Sequence, residues 1–327
     1  MSNDKELAKL IGKSESIKLD NKGIAESYWV TFKNKIGAVE GKIHIPLKGE
    51  DKLVIFEPGF PGGGSGYFEE LFLERVLENG YTAFIVRHVG TIINGKYSEG
   101  YIVCKEKQVK AKEKGQKVLG IKKSHTIADW LVEPRIALEI LAPYFKTIVL
   151  VGHSFGPLAN FSSFIDFVKE NPELSKRVKR FISMAGTLGI VRDARGSILS
   201  QWEEYFEKDW SKERVLIGET EKNINALHGA YKKIHKDVHI FPENVDFIAI
   251  HPWGNEKNTT DELVHIEESL DMITSLGRGY LIVDKLEYGD DKKERIAHDM
   301  QNLPPEIFTN LLNLDWHPKS QISVLRK

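Results

Sequence analysis

Cysteine is almost missing from this chain: Cys104 is the only one in 327 residues. An intrachain disulfide is therefore excluded, which fits a reducing compartment. An excess of one charge is missing too. The 46 basic and 47 acidic side chains leave a net charge of -1, which gives no global field for nucleic acid or an anionic membrane. No apolar run approaches the roughly 20 residues of a membrane span. The opening Met1-Ser2-Asn3-Asp4-Lys5-Glu6 lacks the apolar core of a signal peptide. Repeats and low-complexity tracts are absent, and no Cys/His cluster has zinc-site spacing. Neither a metal nor another cofactor is expected. What remains is an ordinary globular composition, 41% hydrophobic and 28% charged. These traits predict a soluble cytoplasmic protein with a small-molecule partner, and they leave the oligomeric state open.

Apolar periodicity organises the chain. Residues 1–24 are polar, with a short helical pattern at Leu7, Leu10 and Ile11, and are read as an extension or surface helix. Tyr28–Phe32 and Val39–Ile45 alternate like an antiparallel hairpin around Asn34-Lys35-Ile36-Gly37. Leu53-Val54-Ile55-Phe56 is a continuous apolar run, as in a strand buried on both faces. A glycine-rich loop, a helix over Tyr67–Glu78 and a strand over Thr82–Val86 follow. That order predicts a parallel sheet with crossover helices.

Between residues 90 and 124 the alternation lapses into a lysine-rich stretch. Its cations are interleaved with Glu106 and Glu113, and it is read as a solvated surface. A helix over Thr126–Leu141, with a kink at Pro134, and strands at Thr147–Val151 and Arg180–Gly186 follow. Residues 187–242 are helical and amphipathic, with Trp202, Tyr205, Phe206 and Trp210 among acids, and are too long for an ordinary connection. Val245–Ile250 resumes the sheet. A helix near Leu263–Leu276, a strand at Tyr280–Leu286 and a proline-initiated helix from Pro304 to Leu314 close the chain.

The most informative segment is Thr147-Ile148-Val149-Leu150-Val151-Gly152-His153-Ser154-Phe155-Gly156. An apolar strand ends in Gly-x-Ser-x-Gly and a helical pattern follows. Strand, sharp turn and helix make this a candidate nucleophile elbow with Ser154 at its apex. Gly152 and Gly156 allow strand and helix to approach closely. A serine hydroxyl needs a base, and the base needs an orienting acid.

With those residues the stretch from Trp29 to Leu314 resembles the α/β-hydrolase superfamily. The resemblance implies an α/β fold with a mostly parallel sheet, an N-terminal antiparallel hairpin and an inserted helical cap. It divides the chain into an extension (1–24), a core (25–186 and 243–327) and a cap (187–242). It also implies the chain order serine, acid, histidine. Asp261, in Asp261-Glu262-Leu263-Val264-His265, resembles the family's Asp-x-x-Val-Pro, with His265 in place of proline. Asp261 also suits a helix N-cap. Asp193, one strand earlier, is the alternative acid. His298 precedes a proline-initiated helix, as in the family's closing pattern, and is preferred to His317, His251 and His265.

The oxyanion hole implied by the resemblance takes backbone N–H groups from Phe155 and Phe60. The family's usual His-Gly is Pro58-Gly59 here, and Pro61 has no N–H to donate. A phosphate-binding reading of Gly59–Gly64 fails because Ser65 stands where a P-loop needs lysine. Cys104 lacks elbow glycines and is read as an inert thiol.

The expected activity is carboxylester hydrolysis through an acyl-enzyme. One competitor is an aminopeptidase, because Gly59–Ser65 is similar to the oxyanion loop of proline iminopeptidases. Glu203, Glu204 or Glu207 would then hold the substrate amine. Arg87-His88-Val89-Gly90 departs from that family's motif. The other competitor is a non-catalytic binding protein of the same fold.

Overall fold

Alternate side chains along the central strands enter opposite layers, so the apolar runs are buried on both sides. Leu53 and Ile55 join Ile148 and Leu150 in one cluster. Val54 and Phe56 join Val149 and Val151 in the other. The computed structural model describes residues 3–19, 23–60, 62, 64–88, 127–188, 220–253, 260–261, 263–284, 296–300 and 303–319.

The strands are β1 (Glu15–Lys18), β2 (Ala25–Lys33), β3 (Ala38–Pro46), β4 (Lys52–Glu57), β5 (Tyr81–Arg87), β6 (Thr147–His153), β7 (Val178–Met184), β8 (Asp246–Pro252) and β9 (Tyr280–Asp284). They form one sheet in the order β1-β2-β3-β5-β4-β6-β7-β8-β9. β1, β2 and β3 pair antiparallel, and β3 is antiparallel to β5. From β5 to β9 every pairing is parallel. The order reverses between β4 and β6. Open parallel sheets form ligand crevices outside the carboxyl ends of strands at such a point.

The helices are α1 (Asn3–Lys13), α2 (Gly64–Leu71), α3 (Leu73–Glu78), α4 (Ile127–Leu141), α5 (Gly156–Glu170), α6 (Pro172–Ser175), α7 (Thr220–Asp237), α8 (Ile266–Leu276), α9 (Ile296–Asp299) and α10 (Ile307–Leu312). α4, α5 and α7 pack together over one face of the sheet. Phe68 and Phe72, from α2 and its junction with α3, meet Phe308 of α10 on the other.

Several expectations change in detail. The N-terminal stretch is more than a polar extension: Leu7 and Ile11, one turn apart on α1, are both buried in the core, and β1 adds an edge strand. The helix expected over Tyr67–Glu78 is two helices that meet at Phe72. α4 runs through Pro134 as one helix. The closing helix begins at Ile307, three residues after Pro304.

Arg180 on β7 is fully buried, and its guanidinium is a staple for the chain end. Nη1 donates to the carbonyls of Leu311 and Asn313, at 2.8 and 3.0 Å. Nη2 donates to Asp246 and to the carbonyls of Leu314 and Trp316. Asp193, Cys104, the lysine-rich 105–123 stretch and the cap aromatics and acids between 202 and 210 lie outside the described residues. Among the described residues, no helix is long and apolar enough to cross a membrane.

Candidate active site

The elbow is built by close approach. A β-carbon at Gly152 would meet the Pro157 nitrogen at 2.5 Å, and one at Gly156 would meet the Glu57 carbonyl at 2.0 Å. Glycine is the residue that fits at both places. The strand-to-helix reversal between them puts Ser154 at φ 57°, in the left-handed region. That conformation is costly for a side chain with a β-carbon. The surroundings enforce it: Ser154 N–H donates to Met184, and Thr187 N–H donates to the Ser154 carbonyl.

Ser154 at the elbow, Asp261 on the loop after β8 and His298 in α9 come together. Ser154 Oγ is 2.9 Å from His298 Nε2, and His298 Nδ1 is 2.7 Å from Asp261 Oδ2. All three side chains are buried. Burial raises the Asp261 pKa, but the neighbouring His298, then His251 and the Val264 N–H outweigh it and leave the carboxyl below its usual range. An ionised carboxylate only accepts. The His298 proton therefore sits on Nδ1, and Nε2 is left to accept from the Ser154 hydroxyl.

Asp261 does not cap a helix. α8 begins at Ile266 with His265 at its N-cap. Asp261 Oδ1 instead accepts from the Leu263 and Val264 N–H groups at 2.9 and 3.0 Å. The turn uses one carboxylate oxygen and His298 the other. His298 lies in the short α9 rather than on an open loop.

The other histidines take other places. His317 stacks on Tyr280 and approaches Asp246, and His265 is exposed. His251 lies under the acid: its Nε2–H donates to the Val264 carbonyl at 2.7 Å. His153 has a role that its position inside the motif did not reveal. Its Nε2–H donates to the His298 carbonyl at 2.7 Å and pins the backbone there. Burial, then the nearby His298, lower the His153 pKa to about 4, so its ring is neutral at pH 7.

The loop after β4 rests on the elbow. A β-carbon at Gly59 would meet Ser154 Cβ at 2.6 Å. A tight turn closes with Gly62 N–H donating to the Gly59 carbonyl. Phe60 follows Gly59 and packs near Trp130, while Phe155 opens α5 beside Ser154.

Below this loop lies a polar cluster that no sequence motif announced. Glu57 ends β4, His88 follows β5 and Glu133 comes from α4, and all three are fully buried. They lie 31 and 45 residues apart, so local spacing carries no sign of them. The one hint was an acid ending an otherwise apolar central strand.

Comparison with known proteins places this architecture. No family model matches the chain, and no curated protein does. Solved structures do. An esterase from Pyrococcus furiosus superposes with a TM-score of 0.52 at 13% identity, over 95% of this chain and 94% of that one. An esterase from Pyrobaculum calidifontis gives 0.54 at 12% identity, over 96% and 92%. The strand order, the elbow after β6 and these near full-length superpositions are those of the α/β-hydrolase fold, which this chain has.

Proposed function

We propose that the protein is a serine hydrolase that cleaves carboxylic esters. The observation that carries this reading is the unbroken hydrogen-bonded chain from Ser154 through His298 to Asp261. His298 Nε2 takes the Ser154 proton as Oγ attacks the ester carbonyl. The Phe60 and Phe155 N–H groups receive the oxyanion. His298 then protonates the departing alkoxide, and water releases the acyl group by the same steps in reverse. Asp261 holds the imidazole tautomer and balances its positive charge. α7, inside the expected cap, packs with α4 and α5 against the sheet, and residues 189–219 of that cap lie outside the described residues.

Two solved structures that share the fold are esterases by name, which favours the ester over the amide. The aminopeptidase reading, which rests on the Gly59–Ser65 loop, also needs Glu203, Glu204 or Glu207 to hold the substrate amine, and these lie outside the described residues. A panel of p-nitrophenyl esters of graded acyl length, run beside aminoacyl arylamides, tests the assignment. Ester turnover by the wild type is expected to fall by about 10⁶-fold in Ser154→Ala, as in comparable knockouts. Full activity in that variant would reject the site. Arylamide turnover without ester turnover would reject the bond type.

A further inference from the structure

We propose that Glu57, His88 and Glu133 bind a divalent cation of the zinc or manganese class directly beneath the loop that follows β4. The ligand atoms of all three residues lie within 4.8 Å of one another. His88 stands between two acceptors, the Pro58 carbonyl 3.2 Å from Nε2 and Glu133 Oε2 2.7 Å from Nδ1, and a neutral ring has one proton for the two; in the metal-bound state that proton sits on Nε2. Nδ1 is thereby turned toward the carboxylates, 2.7 Å from Glu133 Oε2 and 3.4 Å from Glu57 Oε1. Histidine ligands characteristically donate their far N–H to a carbonyl in this way.

Glu57 supplies the second, independent observation. Both of its oxygens are buried and accept from no backbone N–H or neutral side chain, and burial, then the adjoining Glu133 carboxyl, raises its pKa well above the usual range. A carboxylate in that state is costly, and a cation held by both oxygens removes the cost. Counted with them, Nδ1 and Glu133 Oε2 complete four donors. Two carboxylates, a neutral imidazole and a divalent ion sum to zero charge, which suits a fully buried site. One imidazole nitrogen with carboxylate oxygens is a donor set for zinc or manganese. Donors about 2.0–2.2 Å from a tetrahedral ion stand about 3.3–3.6 Å apart, so the 3.4 Å separation of Nδ1 and Glu57 Oε1 already fits and the 2.7 Å Nδ1–Oε2 contact must open by under about 1 Å. Trp130 stacks on the His88 ring at 4.3 Å and Phe155 meets its edge, which walls the site with aromatics. The ion would lie on the side of the His88 ring away from Pro58 and join β4, the end of β5 and α4. Its role is to fix the loop, and it takes no part in the hydrolytic steps.

The test does not depend on the hydrolase reading. Untagged full-length protein is assayed for metals by mass spectrometry. The expected result is close to one zinc or manganese ion per chain, with content reduced about tenfold or more in Glu57→Gln and Glu133→Gln. Wild type is also unfolded with chelator and refolded with or without zinc or manganese chloride. The metal-loaded sample should melt several degrees higher, a comparison that holds even if the variants do not fold. Metal retained fully in both variants would place it elsewhere and overturn the proposal. Metal-free wild type with the same melting temperature in all refolding arms would also overturn it, and would leave shared protons as what holds the cluster.

Discussion

At the scale of single residues, Asp261 shows how one side chain can serve fold and chemistry separately. Oδ1 holds the turn at Leu263 and Val264, and Oδ2 faces His298. Asp261→Asn should therefore keep the turn, because the amide oxygen can still accept there. Its NH₂ would face His298 Nδ1 and impose the wrong tautomer. We expect kcat for ester hydrolysis to fall about 10⁴-fold, as for such a change in other triads, with melting temperature nearly unchanged. A variant that unfolds, or one that keeps wild-type turnover, would contradict this division. Ser154 was legible in the sequence because its signal is local: two glycines, a strand and a helix within ten residues. Asp261 and His298 were legible only through their order along the chain. His153 and His251 were not, because their work is done by hydrogen bonds to the backbone carbonyls of His298 and Val264, distant in sequence or outside any motif.

At the scale of elements, period-two burial made the central strands readable, whereas their ends depended on contacts far away in the sequence. The chain end is the clearest case. α10 packs Phe308, Leu311 and Leu312 into the core, and Arg180 holds four carbonyls at its end and beyond it. Nothing around Arg180 in the sequence says that its partners lie more than 130 residues later. Arg180→Met would fill the space and leave those carbonyls and Asp246 without their donor. Breaking a buried charged network from one side costs about 3–5 kcal/mol. The urea midpoint should drop accordingly, and limited proteolysis should cut first between Leu311 and Trp316. A midpoint within error of wild type would show that the staple is dispensable. α1 makes the same point more simply: two apolar residues one turn apart looked like a surface pattern, yet both are 3% exposed.

At the scale of the molecule, buried neutral histidines set the response to acid. Burial lowers His44 to about 4, and burial with the neighbouring His298 lowers His153 to about 4, from an ordinary value of 6.5. In the unfolded chain both rings take up protons near pH 6.5, while the folded protein resists until about pH 4. Unfolding therefore binds protons across that window, and stability falls as pH falls through it. The difference corresponds to roughly 3 kcal/mol for each imidazole. Asp261 acts in the same direction at lower pH, because its folded carboxyl also stays deprotonated longer than the unfolded one. Melting temperature should be level above about pH 7 and decline steadily toward pH 4. A flat profile across that range would show that these rings are solvated in the folded protein.

The left-handed backbone at Ser154 has a cost that falls on heredity as much as on the fold. A non-glycine residue held there costs about 1–3 kcal/mol, more than glycine's own entropic penalty of about 0.5–1 kcal/mol. Ser154→Gly should thus melt slightly higher than the wild type while losing its reactivity. A library of variants sorted for heat tolerance alone would discard Ser154, the proposed nucleophile, early. Only selection that counts product keeps serine at the turn.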